Sequence, residues 1–177
     1  VITMSIGGIL GTGAILNFPL ISEFSQAVAA AKAAGILVTL AAGNDSLPFC
    51  GQGELWQNAA LCVGAYGPAG DTATYTNWGL GIDILAPGGG TSCAGGVLST
   101  LPLEQTGCGG IDGYGALAGR SMATPHVAGV GALLAEQGVT GAAAASRIVS
   151  TARTNGLFLV LLGGQSGPRL DAAAAVG

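Results

Sequence analysis

In the stretch "GRSMATPHVAG", Gly119 to Gly129, a serine hydroxyl stands just ahead of a proline and of the only histidine in the chain. The chemistry open to Ser121 is nucleophilic attack on a carbonyl carbon, provided that a base takes its proton. Proline has no N–H, and its ring clashes with the carbonyl four residues back. For Pro125 that carbonyl belongs to Ser121, so Ser121 is expected at or before the first turn of a helix rather than inside it. Backbone N–H groups are unpaired there, and the helix dipole presents its positive end. An oxyanion formed beside them would be stabilised. Gly119 is expected to allow a tight bend and the close approach of another backbone. The same placement suits an ordinary N-cap serine, so geometry alone leaves both readings open.

The residue string resembles the nucleophile motif of the subtilisin-like serine peptidases (subtilases), Gly-Thr-Ser-Met-Ala-x-Pro-His-Val-Ala-Gly, with Arg120 at the Thr position. Further stretches are similar in the family's own order. "VITMSIGG" resembles its substrate-binding strand and glycines. "GILVTLAAGND" resembles the strand leading to its oxyanion asparagine. "LCVGAYGPAGDTATYTNWGLGIDILAPGG" resembles its next two strands, with Asn77-Trp78-Gly79 as the Asn-aromatic-Gly turn. "RLDAAAAV" resembles its closing segment. Asn44 and the "PHVAG" continuation speak against the sedolisin branch of the same fold.

What the resemblance implies is a serine endopeptidase. Ser121 would be the nucleophile, and Asn44 the side-chain donor of the oxyanion hole, joined by the Ser121 backbone N–H. A carboxamide is an uncharged donor that needs no particular protonation state. In that family, losing such a donor is known to cost about 10²–10³ in rate. Ser5, Ile6 and Gly7 would offer backbone groups to a peptide or protein substrate bound in extended form, as an added strand. Ala41, Ala42 and Gly43 would form the opposite wall of the pocket, with Asp45 near its base. No cofactor is required for this chemistry. Calcium is common in the family, but no run of spaced carboxylates resembles an EF-hand loop, and the isolated Asp71, Asp83 and Asp112 decide nothing.

The base is missing from this stretch. His126 lies five residues beyond Ser121, about 7.5 Å along a helix and turned by about 140°, so it is read as a structural helix residue. The family's chain order is Asp, His, Ser, and neither an early "DSG" or "DTG" nor "HGTHVAG" is present. Val1 opens within an apolar run, with no initiator Met and no charged lead-in. The expectation is that residues 1–177 are the C-terminal portion of a single subtilase-like domain, whose N-terminal segment supplies Asp and His. The alternative is a catalytically inactive module that binds extended peptides or packs against a partner. Arg120 is expected as a long cation beside the nucleophile, with Asp112 as a possible surface partner.

The elements that would position these residues are short. Apolar runs at "VITMSI", "ILVTLAA", "ALCVGAY" and "IDILAPG" read as buried strands, and "GVLSTL" as a shorter one. Unbroken apolar strands mark a parallel sheet covered on both faces. "ISEFSQAVAAAKAAG" places Ile21, Phe24, Val28 and Ala31 on one helical face, with Gly35 as its stop. "ATPHVAGVGALLAEQG" and "GAAAASRIVSTAR" read as two more helices, and "DAAAAVG" as a last turn or two. The Gly-rich stretches 86–96 and 107–115 read as loops. The fold class is α/β: a mostly parallel sheet with helices on both faces, incomplete at its N-terminal side.

Composition bounds the rest. A chain of 177 residues with 8% charged and 50% hydrophobic residues is enough for one packed domain. Five Lys and Arg and a net charge of −4 give no basic face for nucleic acid or for anionic membrane. The runs "GILVTLAAG" and "GLFLVLLGG" fall well short of the ~20 residues that span a bilayer. No GxGxxG opens a helix after a strand, against a nucleotide-binding α/β domain. Four cysteines in a chain so poor in charge fit an oxidising, extracellular compartment. The favoured pairings are Cys50 with Cys62 and Cys93 with Cys108, each closing a short Gly-rich loop; four buried thiols are the other possibility.

Overall fold

The computed structural model describes residues 1–6, 18–50, 59–103, 108, 113–154 and 167–177. Its main sheet has four parallel strands in the order β1-β2-β3-β4: β1 Ile2–Met4, β2 Val38–Ala41, β3 Leu61–Tyr66 and β4 Ile84–Pro87. Helix α1, Phe18–Ala33, links β1 to β2. Beyond β4 come β5, Val97–Thr100, and β6, Tyr114–Leu117, an antiparallel pair. Three helices close the chain: α2 Arg120–Glu136, α3 Gly141–Ser150 and α4 Ala172–Val176.

Alternation along the buried strands assigns one set of side chains to each face. Leu37, Leu61, Val63 and Ile84 pack against Val127, Val130 and Leu134 of α2 and Ile148 of α3. On the other face Val38 and Leu40 meet Val28 and the half-buried Phe24 and Ala31 of α1. Helix α2 lies against all four strands. Its close approach depends on Gly131, where a Cβ would stand 2.3 Å from Leu37 Cδ2. The outer edge of β4 is covered by residues 168–170, with Leu85 N–H donating to Pro168 O at 2.7 Å and Leu170 N–H to Leu85 O at 2.8 Å.

Two expectations change. The first strand was expected to be buried, yet Val1 is 49% and Ile2 41% exposed, because β1 is an edge of the described sheet with no strand beyond it among the described residues. The stretch 107–115 was expected to be loop, yet β6 begins at Tyr114 and pairs Leu117 with Val97 and Tyr114 with Thr100. The apolar run "GLFLVLLGG" lies outside the described residues. Cys50 and Cys62 form a disulfide, packed with Ala42 and Ile82. Cys108 is disulfide-bonded as well, while the side chain of Cys93 lies outside the described part.

Candidate active site

Three chain segments meet at the start of α2: the end of β1, the loop after β2, and the turn from Gly119 to Ser121. The turn is anchored from behind, since Gly119 N–H donates to Gly88 O at 2.8 Å and the Tyr75 hydroxyl reaches the same carbonyl at 2.8 Å. Helix α2 then begins at Arg120, with Ser121 in its first turn. Pro125 leaves the Ser121 carbonyl without its helical partner. The Ser5 hydroxyl takes that role, donating to Ser121 O at 2.8 Å. In return the Ser121 hydroxyl donates to Ser5 O at 3.2 Å. The proline thus joins the serine to the end of β1 as well as holding it at the helix mouth.

Ser121 is half-buried and Asn44 exposed. Met122 and Ala123 N–H both donate to Gly119 O, whereas the Ser121 N–H has no partner among the described residues. The Asn44 Nδ2 and the Ser121 N each stand 3.8 Å from the point a Cβ on Gly119 would occupy. Met122 Sδ lies 3.7 Å from the same point, so the two nitrogens and a thioether border the place where a side chain at Gly119 would stand. Gly119 itself lies in a bend just before the helix, with φ 160° and ψ 163°. Its lack of a side chain matters for the space in front of it.

The loop that carries Asn44 is held from below by Asn77, which is fully buried. Asn77 Nδ2 donates to Ala42 O at 2.9 Å, and its Oδ1 accepts from Asp45 N and Leu47 N, both at 3.0 Å. Gly43, at φ 107°, lies so close that a Cβ there would come within 2.6 Å of Asn77 Nδ2. Ser46 adopts φ 55°, a conformation costing a non-glycine residue about 1 kcal/mol. Bonds from Ser46 Oγ to Thr74 O and from Trp78 Nε1 to Ser46 O hold it there. Asn77 was read from sequence only as part of a turn, and nothing in its spacing announces three bonds to another loop. Asn77→Ala is expected to destabilise the fold by about 3–5 kcal/mol, since it strands two donors and an acceptor. Asn77→Asp keeps the acceptor for Asp45 N–H and Leu47 N–H but sets an oxygen against the Ala42 carbonyl, so a smaller loss of about 1–3 kcal/mol is expected. Denaturant unfolding measures both.

Arg120 departs from expectation most. Its side chain is 1% exposed rather than on the surface, and Asp112 lies outside the described residues. Nε donates to Asn44 Oδ1 at 2.8 Å, and the Arg120 backbone N–H approaches the same oxygen at 3.4 Å. Nη1 is buried with no partner, 3.0 Å from where a Gly43 Cβ would be. Burial pulls the guanidinium down to about 10, with the Asp45 carboxylate and Tyr75 acting the other way. It is therefore charged at neutral pH, at the helix end where a cation is unfavourable by about 0.3–1 kcal/mol.

The other expected site residues are placed less uniformly. Ser5 and Ile6 are exposed, with the Ser5 carbonyl engaged by Ser121, and Gly7 lies outside the described residues. Ala41 is 4% and Ala42 0% exposed. Ala42 N–H donates to Val63 O, and its carbonyl is taken by Asn77. Ala42 thus packs with the disulfide instead of facing an open pocket, and Gly43 is the half-buried member of the three. His126 is exposed on α2, its Nδ1 2.8 Å from Met122 O. No single helix among the described residues is long and apolar enough to cross a membrane.

Residues 1–167 match the model of the subtilase family. Among similar proteins, alkaline elastase YaB of Bacillus sp. (strain YaB) is 40% identical over 116 residues, covering 66% of this chain and 27% of that protein. Subtilisin-like protease 3 of Arthroderma otae is 40% identical over 146 residues, covering 80% of this chain and 33% of that protein. Among solved structures, a protease of Pseudoalteromonas arctica superposes with a TM-score of 0.72 at 31% identity, covering 98% of this chain and 49% of its own. A cold-adapted subtilisin-like serine proteinase gives 0.69 at 27% identity, covering 96% and 54%. The chain thus spans about a third or less of the length of these curated relatives.

Proposed function

The chain belongs to the subtilase family, and from that premise we propose that it carries the nucleophile and the oxyanion hole of a secreted serine endopeptidase. Ser121 attacks the scissile carbonyl of an extended peptide. Asn44 Nδ2 and the Ser121 N–H receive the oxyanion, and the Asp and His that activate the hydroxyl come from polypeptide outside these residues. The observation that carries the reading is the placing of Asn44 Nδ2 and the Ser121 N beside the side-chain-free face of Gly119, each 3.8 Å from where its Cβ would be. An oxyanion needs donors about 2.7–3.1 Å away on more than one side, and a side chain at position 119 would stand between these two and Met122 Sδ. The edge position of β1 supports the supply of further segments from elsewhere. Its apolar Ile2 is 41% exposed, whereas a parallel strand is ordinarily covered on both faces. The Cys50–Cys62 disulfide supports an oxidising compartment.

The test is covalent labelling of the complete native protein with a fluorophosphonate, followed by peptide mapping. Modification confined to Ser121 is expected. A folded protein that takes no label is instead the inactive, peptide-binding or structural module.

A further inference from the structure

Arg120 is the residue that the peptidase reading leaves over. It is a cation with 1% exposure, placed at the positive end of α2, with one Nη1 lacking any partner among the described residues. Every one of those features disfavours it. A residue serving only to fill space there would be better neutral. What Arg120 gains in return is the nearby Asp45 carboxylate and one short bond, from Nε to Asn44 Oδ1 at 2.8 Å, with its own backbone N–H at 3.4 Å from the same oxygen.

Arginine carries donors and no acceptor. If the Asn44 carboxamide turned through half a rotation, its NH₂ would face those donors and both bonds would be lost. The oxygen is therefore held toward the arginine, and the NH₂ is left beside Gly119, with Nδ2 3.8 Å from where a Cβ there would be. We propose that Arg120 is a positioning residue that locks the Asn44 carboxamide in its oxyanion-donating orientation through a charge-assisted hydrogen bond. The proposal rests on the peptidase reading above. Threonine, which stands here in the motif this chain resembles, has a hydroxyl that donates and accepts, so it discriminates poorly between the two amide orientations. A cation on Oδ1 also polarises the amide and strengthens its N–H groups as donors.

The experiment is a double-mutant cycle on the complete enzyme with a peptide substrate, using wild type, Arg120→Thr, Asn44→Ala and the combination. Arg120→Thr is expected to lower kcat by about tenfold to a hundredfold, short of the ~10²–10³ for removing the donor itself, with KM within about twofold. In the Asn44→Ala background the same change should cost nothing further. Arg120→Lys, which keeps a cation but not the Nε–H, should restore only part of the loss. An unchanged kcat in Arg120→Thr, or an equal loss with and without Asn44, overturns the proposal. If melting curves show Arg120→Thr unfolded, Arg120→Lys is run through the same cycle under the same criteria. A wild type that neither turns over peptide nor takes a fluorophosphonate overturns the peptidase reading itself, an outcome distinct from an active wild type indifferent to Arg120.

Discussion

Ser121→Ala in the complete protein is expected to lower peptide turnover by about 10⁶-fold, the size of loss known for the nucleophile in this family. The structure gives no reason for the fold to suffer. The Ser121 side chain makes one bond, 3.2 Å to Ser5 O, and a bond that long on a half-exposed hydroxyl is worth no more than about 1 kcal/mol. The tie from the Ser5 hydroxyl ends on the Ser121 carbonyl, which alanine retains. Helix start, proline placement and the free backbone N–H are all main-chain features and survive as well. Steady-state kinetics and a melting curve on the same preparation separate the two effects: turnover should collapse while Tm moves by less than about 3 °C. His126→Ala serves as the contrast. Its ring is exposed and bonded to Met122 O within its own helix, so turnover should stay near the wild-type rate. A Ser121→Ala protein that keeps more than about a hundredth of its activity would place the nucleophile elsewhere.

The contrast between Ser121 and Arg120 marks what could be read before the fold was known. Pro125 dictates the position of Ser121 through sterics that act within one turn, so the helix mouth was legible from spacing. The continuous apolar runs around Leu40, Val63 and Leu85 dictated a parallel sheet for the same reason, since only strands covered on both faces carry no polar alternation. Arg120 was misjudged because a cation beside an exposed serine is ordinarily solvated. Its burial depends on a cleft between Gly43, Asn44 and Asn77, residues brought together from distant parts of the chain. Asn77 was missed likewise, as its side chain serves a loop some thirty residues earlier. β6 was hidden because it follows a run of glycines and its two central residues, Gly115 and Ala116, are poor strand formers. They become a strand by pairing with β5.

Asn44 is where activity and stability should come apart. Asn44→Ala removes one of the two donors beside Gly119, and kcat is expected to fall by about 10²–10³, the loss known for this donor in the family, with KM little changed. In this chain the change does more, because Asn44 Oδ1 is the acceptor for the buried Arg120 Nε. Alanine leaves a second guanidinium N–H unpaired beside Nη1, so a further cost of about 1–3 kcal/mol and a lowered Tm are expected. Asn44→Asp reverses one effect and keeps the other. A carboxylate pairs with Arg120 as well as the amide oxygen does or better, so Tm should return to or above that of the wild type. Its second oxygen, however, sets negative charge where the oxyanion must form, and kcat should be no higher than in Asn44→Ala. Kinetics and thermal melts on the two variants thus test separately the two ends of one side chain, the oxygen that faces the arginine and the nitrogen that faces the substrate. Equal Tm values for alanine and aspartate would mean that the Arg120 contact contributes nothing to the fold, and a fully active aspartate variant would remove Asn44 from the oxyanion hole.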